Sequence, residues 1–125
     1  MILEDLTYKI RRAIFAVFKE LGPGLLESVY EAALAYELNA LGLHVRTQVG
    51  IPVTYKDQSL DLGFRMDILV ENEVVLEIKS IEILHDVHKK QLLTYLRLAD
   101  KRVGILVNFN VSVLEDKVSL VRIVN

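Results

Sequence analysis

Three charged side chains lie in segments of the sequence that are mostly apolar. They are Asp67 in FRMDILVE and Glu77 and Lys79 in VVLEIKS. A buried carboxylate or ammonium is costly unless it is paired or bound to a metal ion. Alternate side chains share one face of a strand, so Glu77 and Lys79 project together while Ile78 points into the opposite layer. With Asp67 on the neighbouring strand, these groups form a candidate metal site.

A solvated arrangement of the same residues is the alternative. In it, Glu77 and Lys79 form a surface ladder pair and Asp67 binds Arg65, two residues earlier. Val75 would then share the wet face with them, which does not suit an apolar side chain. The apolar flanks therefore favour a buried site over a solvated one.

Glu27 is a further candidate because it opens a helical stripe that otherwise faces the core. Apolar residues follow it at helical spacing, namely Tyr30, Leu34, Leu38 and Leu41. An acid in the first turn of a helix also complements the helix dipole. Position alone leaves both interpretations of Glu27 open.

Gln91 and Tyr95 lie one helical turn apart in HKKQLLTYL, so they share a face. A core tyrosine with a backbone acceptor, next to a surface glutamine, is the simpler interpretation. His85 and His88 begin the same segment. No third soft ligand lies near them, so we expect a solvated or capping pair rather than a zinc site.

The same segment is basic. Over residues 85–102, five bases against two acids give a net charge of +3. The bases are Lys89, Lys90, Arg97, Lys101 and Arg102, and the acids are Asp86 and Asp100. We expect this stretch to lie beside the candidate site and to contact phosphates, although an ordinary solvated helix face has the same charge pattern.

Hydrophobic periodicity predicts the elements that position these residues. Helices are expected at about 4–21, where the pattern is amphipathic, and at about 26–41, which is apolar nearly all round and should be largely buried. Strands are expected at about 44–49 and 51–55 and in the segments holding Asp67 and Glu77. A third helix is expected at about 86–99, a buried strand at about 103–109 and an edge strand at about 117–124. The order ααβββ(β)αββ predicts an α/β fold with a central mixed sheet flanked by helices, in one domain over residues 1–125.

Composition sets limits on the protein class. The chain has 125 residues, no cysteine and a net charge of -2, which excludes disulfides and cysteine-ligated metals and gives no overall basic excess for nucleic-acid binding. No apolar run is long enough to cross a bilayer, and the start MILEDLTYKI lacks the pattern of a signal peptide. We expect a soluble, cytoplasmic protein.

Together these motifs resemble the PD-(D/E)XK nuclease superfamily, particularly its RecB-like and phage-exonuclease-like branch. The resemblance runs through Glu27, Asp67, Glu77-Ile78-Lys79 and the Gln91-to-Tyr95 segment. More narrowly, GPGLLESVYEAAL is similar to the signature of the small GxxExxY proteins, with Gly24, Glu27 and Tyr30 at the three fixed positions. Met66 departs from the pattern, since the superfamily name has proline there.

The resemblance implies a restriction-endonuclease-like core that hydrolyses phosphodiesters with Mg²⁺ or Mn²⁺. Asp67 and Glu77 are then direct metal ligands, the Ile78 carbonyl is a third, and Glu27 binds directly or through water. Lys79 would orient or help deprotonate the attacking water and stabilise the transition state. Gln91 and Tyr95 would position the substrate or support the metal ligands.

DNA is the expected substrate, and a homodimer of two small domains could address both strands. Two other functions remain open, because a fold does not dictate an activity. One is a non-catalytic nucleic-acid- or protein-binding module that retained the nuclease fold. The other is a small structural or regulatory subunit whose active site is completed only in an assembly.

Overall fold

The computed structural model describes residues 2–60 and 63–125. The helices and strands in these ranges follow the expected order, with one additional short strand at Gln58–Leu60 that was not predicted. They are α1 (Leu3–Leu21), α2 (Glu27–Ala40), β1 (Val45–Gly50), β2 (Val53–Tyr55), β3 (Gln58–Leu60), β4 (Arg65–Val70), β5 (Val74–Lys79), α3 (Asp86–Ala99), β6 (Val103–Asn108) and β7 (Leu120–Val124).

Five of the strands form one mixed sheet in the order β1-β4-β5-β6-β7. Strands β5 and β6 are parallel, and the other neighbours are antiparallel. Helix α3 connects the parallel pair, while β2 and β3 form a separate hairpin that turns at Lys56 and Asp57. The predicted mixed sheet flanked by helices is confirmed.

Helices cover both faces of this sheet. Buried residues of α1 and α2 pack with Leu76 and Ile78 in one hydrophobic core. On the opposite face, buried residues of α3 pack with Val75 and Leu106 in a second core. The alternation along β5 is the predicted one: Ile78 points into the layer opposite the one that Val75 enters. All six residues of β6 are buried, which confirms a strand covered on both faces.

The expected burial of α2 is wrong. Only Tyr30, Leu34 and Leu38 of this helix are buried, and Tyr36 is 73% exposed. The helix packs with one stripe on α1 and the sheet, and Val29 and Tyr36 lie on its exposed side. Because many of its residues are small or apolar, the sequence did not show that only one side of α2 is buried.

The edge strand β7 starts later than predicted. It begins at Leu120 rather than at Lys117, because the preceding residues form a turn. Within that turn the Glu115 carbonyl accepts hydrogen bonds from the backbone N–H groups of Val118, Ser119 and Leu120. The position of β7 at the edge of the sheet is as predicted.

No helix in residues 2–60 and 63–125 combines the length and apolar character that a membrane span needs.

Gly104 in β6 is a close-contact position beneath α3. A Cβ built there would lie 2.9–3.0 Å from three side-chain atoms of Leu92, which is fully buried. We predict that Gly104→Ala lowers the free energy of unfolding by about 1–3 kcal/mol, because overpacking forces strain into a closed core. Chemical denaturation measures this difference.

Gly50→Ala is the matched control for that variant. A Cβ at Gly50 would meet only Arg65 Nη1, at 3.9 Å, so this strand glycine tolerates the added methyl group. If Gly104→Ala unfolds at the same denaturant concentration as Gly50→Ala, the packing of α3 on β6 is looser than the structure has it.

Candidate active site

Strands β4 and β5 separate at the position of the two acids. Their backbone ladder pairs Val70 with Val74, continues to the pair Ile68 and Leu76, and goes no further. Beyond it, the Ile78 N–H donates to Asp67 Oδ2 at 2.8 Å, and the Asp67 N–H donates to Glu77 Oε1 at 3.3 Å. The two carboxylates thus take the places of backbone acceptors and are fixed beside each other.

Both acids are in surroundings that disfavour negative charge. Glu77 is only 6% exposed. Burial, and then the charge of Asp67, raise the pKa of Glu77 to about 8. Asp67 is half-buried, and burial raises its pKa also, while the Ile78 N–H and Lys79 act in the opposite direction. A cation placed at this pair would relieve the unfavourable burial.

Lys79 ends β5 on the face that Glu77 occupies. It is half-buried, and its positive charge lowers the pKa of Glu77 and of Asp67. The Lys79 carbonyl accepts the Phe109 N–H at 2.9 Å, which fixes the end of the strand. The solvated alternative for these residues is wrong, because Glu77 is buried and the Arg65 guanidinium donates to the Gln48 carbonyl at 3.4 Å.

Glu27 is the first residue of α2, and its carboxylate faces the end of β5. Glu27 Oε2 accepts the Ser80 N–H at 2.9 Å, and Ser80 Oγ donates to the Leu25 carbonyl at 2.6 Å. The charge of Glu27 also contributes to the raised pKa of Asp67. Glu27 therefore ties the start of α2 to the residue after Lys79, close to the acid pair.

The expectation that three acids converge on one point is wrong for the described part of the chain. Over residues 2–60 and 63–125, no three Asp, Glu or His side chains are grouped so that they could hold a metal ion. Glu27 is directed to the Ser80 N–H instead of joining Asp67 and Glu77. The convergence is limited to the pair.

The donors in this pair nevertheless suit a hard divalent cation. Carboxylate oxygens are the ligands that Mg²⁺ and Mn²⁺ prefer, and Mg²⁺ keeps several waters and uses only one or two carboxylates. Asp67 and Glu77 supply two such groups in surroundings where negative charge lacks full compensation. The residues present therefore fit Mg²⁺ or Mn²⁺.

Tyr30 fixes the turn that precedes Glu27. Its ring is fully buried and stacks on Phe109 with 4.3 Å between ring centroids and an angle of 6° between planes. Its hydroxyl donates to the Gly22 carbonyl and accepts the Leu25 N–H at 3.2 Å. Gly24 in this turn has φ 95°, which favours glycine. Gly24 and Tyr30 thereby set the entry of α2.

Tyr95 of α3 faces the acid pair, whereas Gln91 is exposed. Burial raises the pKa of Tyr95, and the charges of Glu77 and Asp67 add to the effect. Its ring centroid is 6.1 Å from that of Phe64. Gln91 lies one turn earlier on the same helix, with its side chain in solvent.

The basic stretch lies only partly beside the acids. Helix α3 connects the end of β5 to the start of the parallel strand β6, so it runs back along the sheet for about 20 Å. Lys89 and Lys90 lie in its first half, near the end of β5. Arg97 lies in the last turn, and Lys101 Nζ donates to the Asn72 carbonyl at 2.9 Å, in the turn between β4 and β5. The expectation that the entire stretch lies beside the site is therefore wrong, because a helix of this length spans the sheet.

His85 and His88 form a pair at the start of α3. The His85 N–H donates to His88 Nδ1 at 2.9 Å, so the second ring accepts a backbone donor that the helix leaves unpaired. This confirms a capping pair.

Two polar residues near the site were missed in the sequence. The Gln48 amide donates to Glu31 Oε1 at 2.6 Å and lies 3.5 Å from Asp67 Oδ1. Burial raises the pKa of Glu31, and the charge of Asp67 contributes. Glu31 could have been identified from its spacing, because it lies four residues after Glu27 on the same helix face. No pattern in the sequence indicates Gln48.

The fold and the paired acids define a restriction-endonuclease-like core. A model of the PD-(D/E)XK nuclease superfamily matches residues 4–122, and the chain therefore belongs to this superfamily. Neither the curated proteins nor the solved structures gave a match. Membership confirms the predicted fold class and points to metal-dependent cleavage of nucleic acid, since nucleases of this superfamily generally use divalent metal ions.

The raised pKa of Glu77 predicts how stability depends on pH. Because its pKa is about 8 in the folded protein against 4.5 ordinarily, the folded state binds more protons between these values, and stability falls as pH rises through this window. We expect a lower free energy of unfolding at about pH 8 than at about pH 5, in buffer containing chelator. Glu77→Gln should flatten this decline, leaving the smaller contribution of Asp67 in the same direction.

Glu73→Gln, in the exposed turn between β4 and β5, is the control, and it should keep the full decline. A wild-type protein that is as stable at about pH 8 as at about pH 5 would contradict the burial of an ionisable Glu77.

Tyr30→Phe tests the turn before Glu27. Loss of the hydroxyl leaves the Gly22 carbonyl and the Leu25 N–H without their partner, so we expect a loss of about 1–3 kcal/mol in the free energy of unfolding. Tyr36→Phe, at an exposed position of the same helix, is the matched control and should be neutral. Equal denaturation midpoints for the two variants would show that the hydroxyl does not fix this turn.

Proposed function

We propose that this protein is a metal-dependent nuclease that hydrolyses phosphodiester bonds of DNA. The single observation that carries the proposal is the pair of acids, the buried Glu77 and the half-buried Asp67, fixed by reciprocal hydrogen bonds from backbone N–H groups and followed by Lys79. The pair suits a hard cation, and Lys79 is the adjacent cationic group. The superfamily match over residues 4–122 supports the reaction class.

In this proposal Asp67 and Glu77 bind Mg²⁺ or Mn²⁺ directly. The Ile78 carbonyl is a third ligand, and Glu27 acts from the start of α2 through a water molecule. A dication bound there would neutralise the scissile phosphate, lower the pKa of a bound water and offset charge on the leaving oxygen. Burial of Glu77 strengthens its interaction with a cation, because few waters compete for its oxygens.

In this proposal, Lys79 is the side chain nearest to the attacking water. Lys79 is half-buried at the end of β5, and its positive charge acts on both acids. It orients the attacking water and stabilises the negative charge that develops on the phosphoryl oxygens. Between reactions the ammonium partly compensates the charge of Asp67 and Glu77.

Helix α3 supplies the substrate contacts in this proposal. Tyr95 faces the acid pair and positions the substrate backbone, with Gln91 one turn away at the solvent boundary. Lys89 and Lys90 lie on the half of the helix near the site and attract phosphates. Arg97 lies toward the other end of α3 and contacts nucleic acid only where the strand extends along the helix.

The proposal includes a narrower family, a substrate and an assembly. Gly24, Glu27 and Tyr30 match the G-x-x-E-x-x-Y signature, and their joint role in fixing the start of α2 supports assignment to the GxxExxY branch. The resemblance to RecB-like and phage-exonuclease-like nucleases supports DNA. Residues 1–125 act as one domain, and a homodimer would present two sites to the two strands of a duplex.

A non-catalytic binding module is the second candidate function. One observation favours it: the Glu27 carboxylate is bonded to the Ser80 N–H, and no group of three acids forms among the residues of the two described ranges. Such a module would bind nucleic acid in a salt-sensitive manner that a chelator leaves unchanged.

Cleavage assays with single- and double-stranded DNA and with RNA test the proposal. With Mg²⁺ or Mn²⁺ the wild type should cleave DNA, and EDTA should abolish cleavage. Lys79→Met and Glu77→Gln should lower kcat/KM by ~10²–10³-fold, because each removes a charged group from the reacting centre.

Exposed residues give matched controls for these two variants. Lys19→Met, in the last turn of α1, and Glu73→Gln should retain wild-type rates. If Lys79→Met and Glu77→Gln cleave as fast as these controls, the activity does not come from this site. Binding that persists in EDTA without any cleavage would support the second candidate instead.

A further inference from the structure

Gln48 has an unusual backbone for a strand residue. Its φ is 51°, in the left-handed region that is unfavourable for a residue with a Cβ atom. It lies inside β1, between Thr47, which pairs with Ile68, and Val49, which pairs with Met66. The backbone is therefore distorted directly opposite Asp67. Strain of this kind persists where something else in the structure holds it.

The side chain of Gln48 connects two acids on different elements. Its amide donates to Glu31 Oε1 on α2 at 2.6 Å and lies 3.5 Å from Asp67 Oδ1 on β4. The other oxygen of Asp67, Oδ2, accepts the Ile78 N–H at 2.8 Å. Both carboxylate oxygens of Asp67 thus face an N–H donor, one from the strand β5 and one from Gln48.

We propose that Gln48, anchored by Glu31, is a positioning residue that fixes the orientation of the Asp67 carboxylate for a divalent cation. The proposal deepens the metal-dependent function proposed above and rests on it. The short bond to Glu31 holds the amide, and the longer contact to Asp67 Oδ1 would orient that carboxylate toward a bound cation.

An amide suits this role better than a charged side chain. A lysine or arginine would donate the same hydrogen bond but would add a positive charge next to the cation and repel it. A carboxylate would lack the donor. A neutral amide orients the ligand oxygen through a hydrogen bond without changing the charge of the site.

A structural brace between α2 and β1 is the competing explanation, and it predicts different behaviour. Gln48→Gly relieves the unfavourable φ but removes the side chain. If Gln48 is only a brace, this variant loses stability and keeps its metal affinity. If Gln48 is a positioning residue held at a strained backbone, the variant keeps or gains stability and loses metal affinity.

The experiment measures Mn²⁺ binding by isothermal titration calorimetry, together with thermal unfolding, for wild type, Gln48→Gly and Gln48→Asn. Asparagine also tolerates positive φ, but its amide is one methylene too short to reach both acids. We expect the Kd for Mn²⁺ to rise by about tenfold or more in both variants, with unfolding midpoints at or above that of wild type. At saturating Mn²⁺ most of kcat should return.

Asp100→Gly is the matched control, because Asp100 also has a positive φ, 55°, but ends α3. It should leave the Kd for Mn²⁺ unchanged. A Kd for Gln48→Gly within about twofold of wild type would overturn the proposal, and so would a weaker Kd that comes with a lower unfolding midpoint in both Gln48 variants.

The calorimetric readout separates this inference from the proposed nuclease. Wild type that binds Mn²⁺ through a Gln48-dependent site but cleaves no nucleic acid would contradict the nuclease and support the positioning role. Cleavage and metal binding that are both indifferent to Gln48 would support the nuclease and refute the positioning role. Wild type that binds no Mn²⁺ would refute both.

Discussion

The separation of β4 from β5 beyond the pair Ile68 and Leu76 is the constraint on which the rest of the site depends. If the antiparallel ladder had continued, a backbone carbonyl of β4 would have accepted the Ile78 N–H. Because the strands part, the Asp67 carboxylate accepts this N–H and the Glu77 carboxylate accepts the Asp67 N–H, so both donors have a partner. The gap therefore holds the acids in the sheet, and the acids satisfy the donors that the gap leaves.

One series of buried contacts then fixes what surrounds the pair. The Lys79 carbonyl binds the Phe109 N–H, the Phe109 ring stacks on Tyr30, and the Tyr30 hydroxyl binds the Gly22 carbonyl. The end of β5 and the turn before Glu27 are thus set by the same interactions. A change in the packing of Phe109 would displace a strand end and a helix start together, so Lys79 and Glu27 are positioned jointly.

The parts of this arrangement that follow from local periodicity were predictable from the sequence, and the others were not. Period-two alternation gave the opposite directions of Ile78 and Glu77. Apolar character all round α2 could not show which side meets the sheet, because alanine suits either surface. The reach of α3 depends on the tertiary path of a parallel connection, which placed Arg97 toward the other end of the sheet. The positive φ of Gln48 has no sequence signal, since glutamine is not among the residues that favour this region.

Folding alone gives no reason for a carboxylate at position 77. A glutamine side chain could accept the same N–H from Asp67 through its amide oxygen without a buried charge, whose desolvation and repulsion by Asp67 raise the pKa of Glu77 to about 8. Lys79 compensates only part of the charge. A cation with more than one charge would stabilise these two adjacent carboxylates, because it offsets both charges at once. Such a site costs folding stability and suits a dication, as expected in a superfamily whose nucleases generally use divalent metal ions.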